Sequence, residues 1–333
     1  MRAVAVALGA MLGCLLSCGS SEVVLLRSVE EVVPLSRGTV ARTSNGALFL
    51  LTEGGIPSRM EVPISVGIRE GIGDCWSISA GGELLALNLP YGIKRAAAVI
   101  TVQPGLALLG GNFFRQADGR VFRWIDLMSK LLEFPVLSGA SSCTSELCVV
   151  RGDVLDLAIS HTDGPPVRFD IGRKVTEVAD SAWVKNRGGT YYHGAVVLGE
   201  DGRVFMVSSR THYEPRVAVE EIVGLPPIRR LHPGFYEDES HRIWYRGVVQ
   251  AGWPSELLSN EVPRSACQAY RSPIHEPIDL ECVDPVEIPA LANTRPVLVL
   301  DDARRATIFA IFPDGTLRCW ASEGAAPCPR GEE

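Results

Sequence analysis

Short runs of alternating apolar and polar residues recur along the chain, and each follows a turn. Phe122-Arg123-Trp124 comes after Asp118-Gly119, Val204-Phe205 after Asp201-Gly202, and Leu317-Arg318-Cys319 after Asp314-Gly315. A period of two is that of a strand with one buried face. Asp-Gly and Asn-Gly provide the positive φ angles that tight hairpin turns require. The pattern therefore predicts β-hairpins.

The hairpins repeat. Weaker copies stand at Asn45-Gly46-Ala47-Leu48-Phe49, Gly81-Gly82-Glu83-Leu84-Leu85 and Arg151-Gly152-Asp153-Val154-Leu155. Two more, Ser240-His241-Arg242-Ile243-Trp244 and Pro277-Ile278-Asp279-Leu280-Glu281-Cys282, lack the glycine. Anchored on the turn residue, the copies fall at 46, 82, 119, 152, 202, 241, 278 and 315, with steps of 36, 37, 33, 50, 39, 37 and 37. The position six before the turn is apolar at Val40, Trp76, Phe113, Val196, Phe235 and Phe309; Glu146 and Ser272 are the exceptions. One hairpin cannot bury its own face, but neighbours stacked at a constant pitch can, and closure into a ring protects the edges. The expected fold is all-β, a β-propeller whose blades hold three to four short strands.

The segment Thr307-Ile308-Phe309-Ala310-Ile311-Phe312-Pro313-Asp314-Gly315-Thr316-Leu317-Arg318-Cys319-Trp320 resembles the repeat core of the regulator of chromosome condensation family. Secreted bacterial members carry an apolar strand, Asp-Gly and then Cys-Trp. The resemblance covers roughly residues 30–325 and is strongest over 113–124, 196–205 and 307–320. It implies seven blades, although the family's Gly-Gln-Leu-Gly signature after the Trp is absent. Eight copies leave two alternatives open: eight blades, or one copy acting as an edge strand that closes the ring. In this frame Cys282 and Cys319 share a position in consecutive repeats, on adjacent blades and too far apart to bond. The expected disulfides are Cys267–Cys282, Cys319–Cys328 and Cys143–Cys148, with Cys75 left over.

The N-terminus has another pattern. After Arg2 comes an uncharged apolar stretch of 14 residues, Ala3 to Leu16. That is too short to span a bilayer and suits the apolar core of a signal peptide. It runs into Leu15-Leu16-Ser17-Cys18, which resembles the lipobox of bacterial lipoproteins. The resemblance implies cleavage before Cys18 and lipidation of that cysteine. Gly19 rather than Asp after it implies the outer membrane where enteric-type sorting applies. The expected organisation is a signal peptide over 1–17, a lipidated N-terminus and linker over 18–29, the propeller over 30–325 and a tail over 326–333, in a bacterial cell envelope.

Composition narrows the function. A net charge of −7 over 333 residues argues against nucleic acid as a partner, since phosphate neutralisation needs a basic surface. Hydrophobic residues make up 46% and charged residues 21%, enough for a core and against disorder. Absent from the sequence are a Gly-x-Ser-x-Gly elbow, a Cys-x-x-Cys pair, and two His at i, i+4. No cofactor or metal is expected. Acidic pairs such as Asp301-Asp302 read as solvated blade edges, and Asp at the repeat turns reads as turn chemistry rather than calcium ligation.

The 50-residue step from 152 to 202 carries about 13 residues beyond the usual pitch, as a long functional loop would. Its Trp183, Arg187, Tyr191, Tyr192 and His193 are candidate binding residues, because aromatics and Arg concentrate at binding hot spots. A second candidate rim segment is Leu231-His232-Pro233-Gly234-Phe235-Tyr236-Glu237. Together these features predict a non-enzymatic, membrane-anchored scaffold for a protein or glycan. The alternatives are a polysaccharide-acting propeller enzyme and a structural envelope component.

Overall fold

The computed structural model describes residues 23–35, 38–52, 54–70, 75–87, 98–102, 105–125, 130–144, 147–156, 167–180, 195–210, 216–248, 253, 257–258, 262–270, 277–300, 306–322 and 327–331. The expected lipidation site Cys18 and the loop residues Trp183, Arg187, Tyr191, Tyr192 and His193 lie outside them, as does the side chain of Cys267.

The described residues form seven antiparallel sheets in chain order. The first holds Val29–Leu35, Gly38–Thr43, Leu48–Leu51 and Ser58–Arg59. The second holds Ser65–Glu70, Cys75–Ser79, Glu83–Leu87 and Ala98–Val102. The third holds Leu106–Gly110, Phe113–Gln116, Val121–Ile125 and Lys130–Glu133. The fourth holds Ala140–Cys143, Leu147–Val150, Asp153–Asp156 and Val167–Phe169. The fifth holds Val175–Asp180, Ala195–Gly199, Val204–Arg210 and Arg216–Glu221. The sixth begins Ile228–His232, Phe235–Asp238 and Ile243–Val248 and adds Pro277–Glu287 and, at its edge, Arg264–Tyr270. The seventh joins Arg295–Leu300, Ala306–Ile311 and Leu317–Ala321 to Val23–Leu26 from the opposite end of the chain.

The first strand of each sheet packs on the first strand of the next, and that of the seventh packs on that of the first. The sheets therefore close into a ring with their first strands innermost, an all-β propeller. The residues at the apolar repeat position are all buried: Val40, Trp76, Phe113, Val196, Phe235 and Phe309. They pack between sheets; Trp76, for example, meets Phe114 edge to face at 5.3 Å and donates its indole N–H to Asn112 Oδ1 at 3.0 Å. Each such side chain stabilises the ring by about 1.5–3 kcal/mol through burial.

The turns between second and third strands show why glycine recurs. Gly46, Gly82, Gly119, Gly202 and Gly315 have φ between 78° and 88°. The N–H of Gly119 reaches back to Gln116 O, and Gln116 N–H to Arg120 O, which is a three-residue loop closed by a glycine bulge. Asp118, Asp201 and Asp314 each accept the backbone N–H two residues on, at 3.0, 3.2 and 2.8 Å. Arg151 and Gly152 make a turn one residue shorter. Leu147, rather than Glu146, therefore takes the buried position in the fourth sheet.

Three expectations change. The copy at 278 makes no hairpin of that kind: it lies inside the strand Pro277–Glu287, which pairs with Ile243–Val248 in the sixth sheet. Ile278-Asp279-Leu280 alternates simply because it is a strand. Consequently Cys282 and Cys319 are not equivalent: one sits on the fourth strand of its sheet and the other on the third. Finally, Val23–Leu26, in the expected linker, is a strand of the seventh sheet.

Cys143–Cys148 and Cys319–Cys328 are disulfides with Cα separations of 4.1 and 5.9 Å. The second holds the tail, where Gly54 N–H donates to Pro327 O and Arg330 N–H to Gly55 O. Cys282 is also disulfide-bonded. Cys75 is buried, its thiol 3.8 Å from Trp76 O. Among the described residues no helix is long and apolar enough to cross a membrane.

Candidate functional site

Strand order alone puts the repeat turns on one face of the ring. In a four-stranded antiparallel sheet, the turn between strands two and three and the exit to the next sheet leave from the same edge. Backbone bonds tie them: Ser65 N–H to Gly46 O, Gly139 to Gly119, Ile228 to Gly202, Asn293 to His241 and Val29 to Gly315. We refer to this side as the turn face.

At this edge the innermost strands of five sheets carry one extra residue opposite the hairpin: Glu30, Val66, Ser141, Thr176 and Arg229. Such bulges re-aim the side chain that follows. Three of those following side chains reach the innermost strand of the next sheet. Glu31 accepts the N–H of Ile68 at 3.1 Å, Ser142 donates to Val178 O at 3.2 Å, and Glu177 accepts the N–H of Leu231 at 3.0 Å. In the sixth sheet the position belongs to Arg230, whose guanidinium lies 4.0 Å from Glu237 and lines a cleft. The cleft lies between the sixth and seventh sheets and the start of the first, has a volume of about 630 Å³, and is also lined by Ser28, Glu237, His241, Asn293 and Arg295.

Glu237 is the buried centre of this region, 5% exposed. His232 Nε2 lies 2.9 Å from Oε2, and His241 Nδ1 lies 2.7 Å from Oε1. An ionised carboxylate only accepts, so both ring nitrogens carry hydrogen. Arg229 then donates to His241 Nε2 at 3.1 Å, which fixes that ring as the Nδ1–H tautomer. Burial pushes the Glu237 carboxyl up, but the hydrogen bonds from His232 and His241, with the charges of His232 and Arg230, outweigh it and hold the group down at about 2. Its neighbour Asp238 is buried too and takes the N–H groups of Ser240 and Arg242, Arg242 Nε and Trp244 Nε1. Burial opposes ionisation there, and these donors overcome it and hold the carboxyl below its ordinary value.

Backbone strain gathers at the cleft. Four described residues other than glycine have positive φ, and three of them line it: Ser28 at 57°, His241 at 60° and Asn293 at 61°. That conformation costs a side-chain-bearing residue of order 1 kcal/mol and collects at functional positions. His241 stands where six other turns have glycine.

Of the sequence candidates, the rim segment Leu231–Glu237 supplies His232 and Glu237, while the loop 183–193 lies outside the described residues. Asp180 ends the strand before that loop and Ala195 begins the strand after it, on the edge away from the turn face. Sequence reasoning missed Arg230, Arg295, Ser28 and Asn293. Arg295 reaches Glu30 O across 265 residues of chain, a separation that leaves no local signal.

No protein-family model and no curated protein sequence matches the chain. Its fold is similar to yeast RCC1 (Prp20) in the crystal structure with Kap60, with a TM-score of 0.54 and 10% identity over 88% of this chain and 80% of that one. A second structure of Prp20p from Saccharomyces cerevisiae gives 0.49 and 9% over 88% and 82%. PorZ, a surface component of the type-IX secretion system of Porphyromonas gingivalis, gives 0.49 and 13% over 94% of this chain and 39% of that one. At such identities the likeness is one of fold.

Proposed function

We propose that the protein is a bacterial envelope lipoprotein, anchored through Cys18, whose seven-bladed ring binds a protein partner on the turn face and catalyses no reaction. The observation that carries this reading is the distribution of exposed apolar side chains. Of the seven large ones exposed among the described residues, Ile64, Val66, Val136 and Val223 lie on the turn face. Ile64, Val136 and Val223 sit on exits between sheets, and Val66 is a bulge residue on an innermost strand. Exposed apolar groups gathered on one side of a rigid ring suit a protein interface. Yeast RCC1 (Prp20), whose fold this chain resembles, was crystallised bound to a protein, Kap60.

The compartment has its own support. Disulfides at Cys143–Cys148 and Cys319–Cys328 and a bonded Cys282 suit an oxidising space outside the cytoplasm. The lipobox supports the anchor, and Gly19 supports the outer membrane. Glu31 and Glu177 are engaged by backbone N–H groups of the next sheet, as structural ties rather than as a paired acid and base. Binding is therefore favoured over glycosidase chemistry.

A photo-crosslinking residue placed at Val136 or Val223 in intact cells is expected to trap a discrete protein adduct. The same probe at Ile56, on the opposite edge, is the control and is expected to trap none. Adducts from Ile56 alone would overturn the choice of face. Incorporation of labelled fatty acid, lost in Cys18→Ser, tests the anchor, and incorporation retained in that variant would refute it.

A further inference from the structure

We propose that the cleft between the sixth and seventh sheets seats a side-chain carboxylate from an acidic segment of the turn-face partner, held by Arg230 and Arg295; the proposal rests on the turn-face reading above. The charge inventory of the walls gives the reason. Three carboxylates line the cleft, and each is already engaged within the protein. Glu237 takes His232 and His241 on its two oxygens. Glu30 takes Arg42 at 2.7 Å. Asp314 takes the N–H of Thr316 at 2.8 Å. The two arginines differ. Arg230 has its nearest carboxylate oxygen 4.0 Å away, on a group that both imidazoles hold more closely. Arg295 places one N–H on Glu30 O at 2.6 Å, and its fork of five donors has more to offer. Both guanidiniums are exposed and line the cleft from opposite sheets.

A guanidinium fork matches a carboxylate in shape and charge. The volume, about 630 Å³, lies in the range of ligand sites and takes a side chain with its flanking backbone. The floor is set before anything binds: Glu237 and Thr294 are buried, and Ser28, His241 and Asn293 hold their left-handed conformations through backbone bonds.

The probe is a fluorescein-labelled hexaglutamate peptide, read by fluorescence polarisation on the purified full chain, with hexaglutamine as its uncharged counterpart. Hexaglutamate should bind at least tenfold more tightly, and 0.5 M salt should weaken it. Arg230→Ala and Arg295→Ala should each cost about tenfold, the scale of one charge-assisted pair. Arg203→Ala, at another turn on the same face, should change affinity less than twofold. Both cleft arginines are exposed, so the variants should stay folded, which their cooperative melting curves check. Equal binding of the two peptides, absence of binding, or an Arg203→Ala loss as large as that of Arg230→Ala would each overturn the proposal. Adducts from Val136 and Val223 would survive that failure, which separates it from failure of the turn-face reading.

Discussion

The third and sixth sheets share a turn and an exit, bond for bond. Gly119 N–H reaches Gln116 O as His241 N–H reaches Asp238 O, and both turns are followed by an arginine. Both exits run through a single 3-10 turn, Pro135–Leu137 and Pro289–Leu291. Gly139 N–H closes on Gly119 O at 3.1 Å as Asn293 N–H closes on His241 O at 2.9 Å. The residues at the two left-handed positions differ. The third sheet has glycine at both, and a Cβ built on either would meet open space. The sixth has His241 and Asn293. The residue across from the turn differs as well: Arg115 reaches Ala140 O at 3.1 Å, whereas Glu237 turns to two imidazoles. With the backbone path held constant, the added strain and the buried charge in the sixth sheet have no fold-level cause. They mark the place where the ring departs from its own repeat, and the cleft lies there.

Removing the buried carboxylate should have the largest effect. Glu237→Leu leaves His232 buried without its acceptor and should cost about 3 kcal/mol in denaturant unfolding. The pH dependence gives the sign independently. The Glu237 carboxyl falls from 4.5 to about 2 on folding, so its contribution is fully present above about pH 4.5 and is lost as the pH falls toward 2. The gap between wild type and Glu237→Gln should therefore narrow across that window. A gap that stays constant from pH 6 to pH 2.5 would show that the carboxylate is not held in its charged form.

Much of this fold was legible because its turns are chemical. Asn45-Gly46, Asp118-Gly119, Asp201-Gly202 and Asp314-Gly315 announce their hairpins through the αL requirement and the side-chain acceptor. The copy at 278 misled because a strand paired on both sides within a sheet alternates just as the arm of a repeat hairpin does. Val23–Leu26 was missed because a closing strand follows no turn of its own. The bulges at Glu30, Val66, Ser141, Thr176 and Arg229 shift register by one residue, and no residue type marks that. The candidate site was half visible: His232 and Glu237 both lie in the rim segment Leu231–Glu237. Ser28, Asn293 and Arg295 are single polar residues on three separate segments, and only ring closure assembles them.

A reciprocal exchange tests the comparison with the smallest effects. Gly119→His places a side chain at φ of 88° with nothing to hold it, because the residue opposite is Arg115 rather than a carboxylate. Strain without a partner should lower stability by about 1–2 kcal/mol. His241→Gly acts in both directions at once. It releases strain of order 1 kcal/mol and removes one of the two imidazole hydrogen bonds to Glu237. That bond involves an ionised acceptor, but the ring is half exposed and its net value is correspondingly small. The two terms oppose each other, so the net loss should stay below about 1 kcal/mol in chemical denaturation. Equal and large losses from the two exchanges would mean that His241 packs like any other turn residue. A small loss at 241 beside a larger one at 119 would mean that the sixth sheet tolerates its left-handed histidine because Glu237 holds it in place.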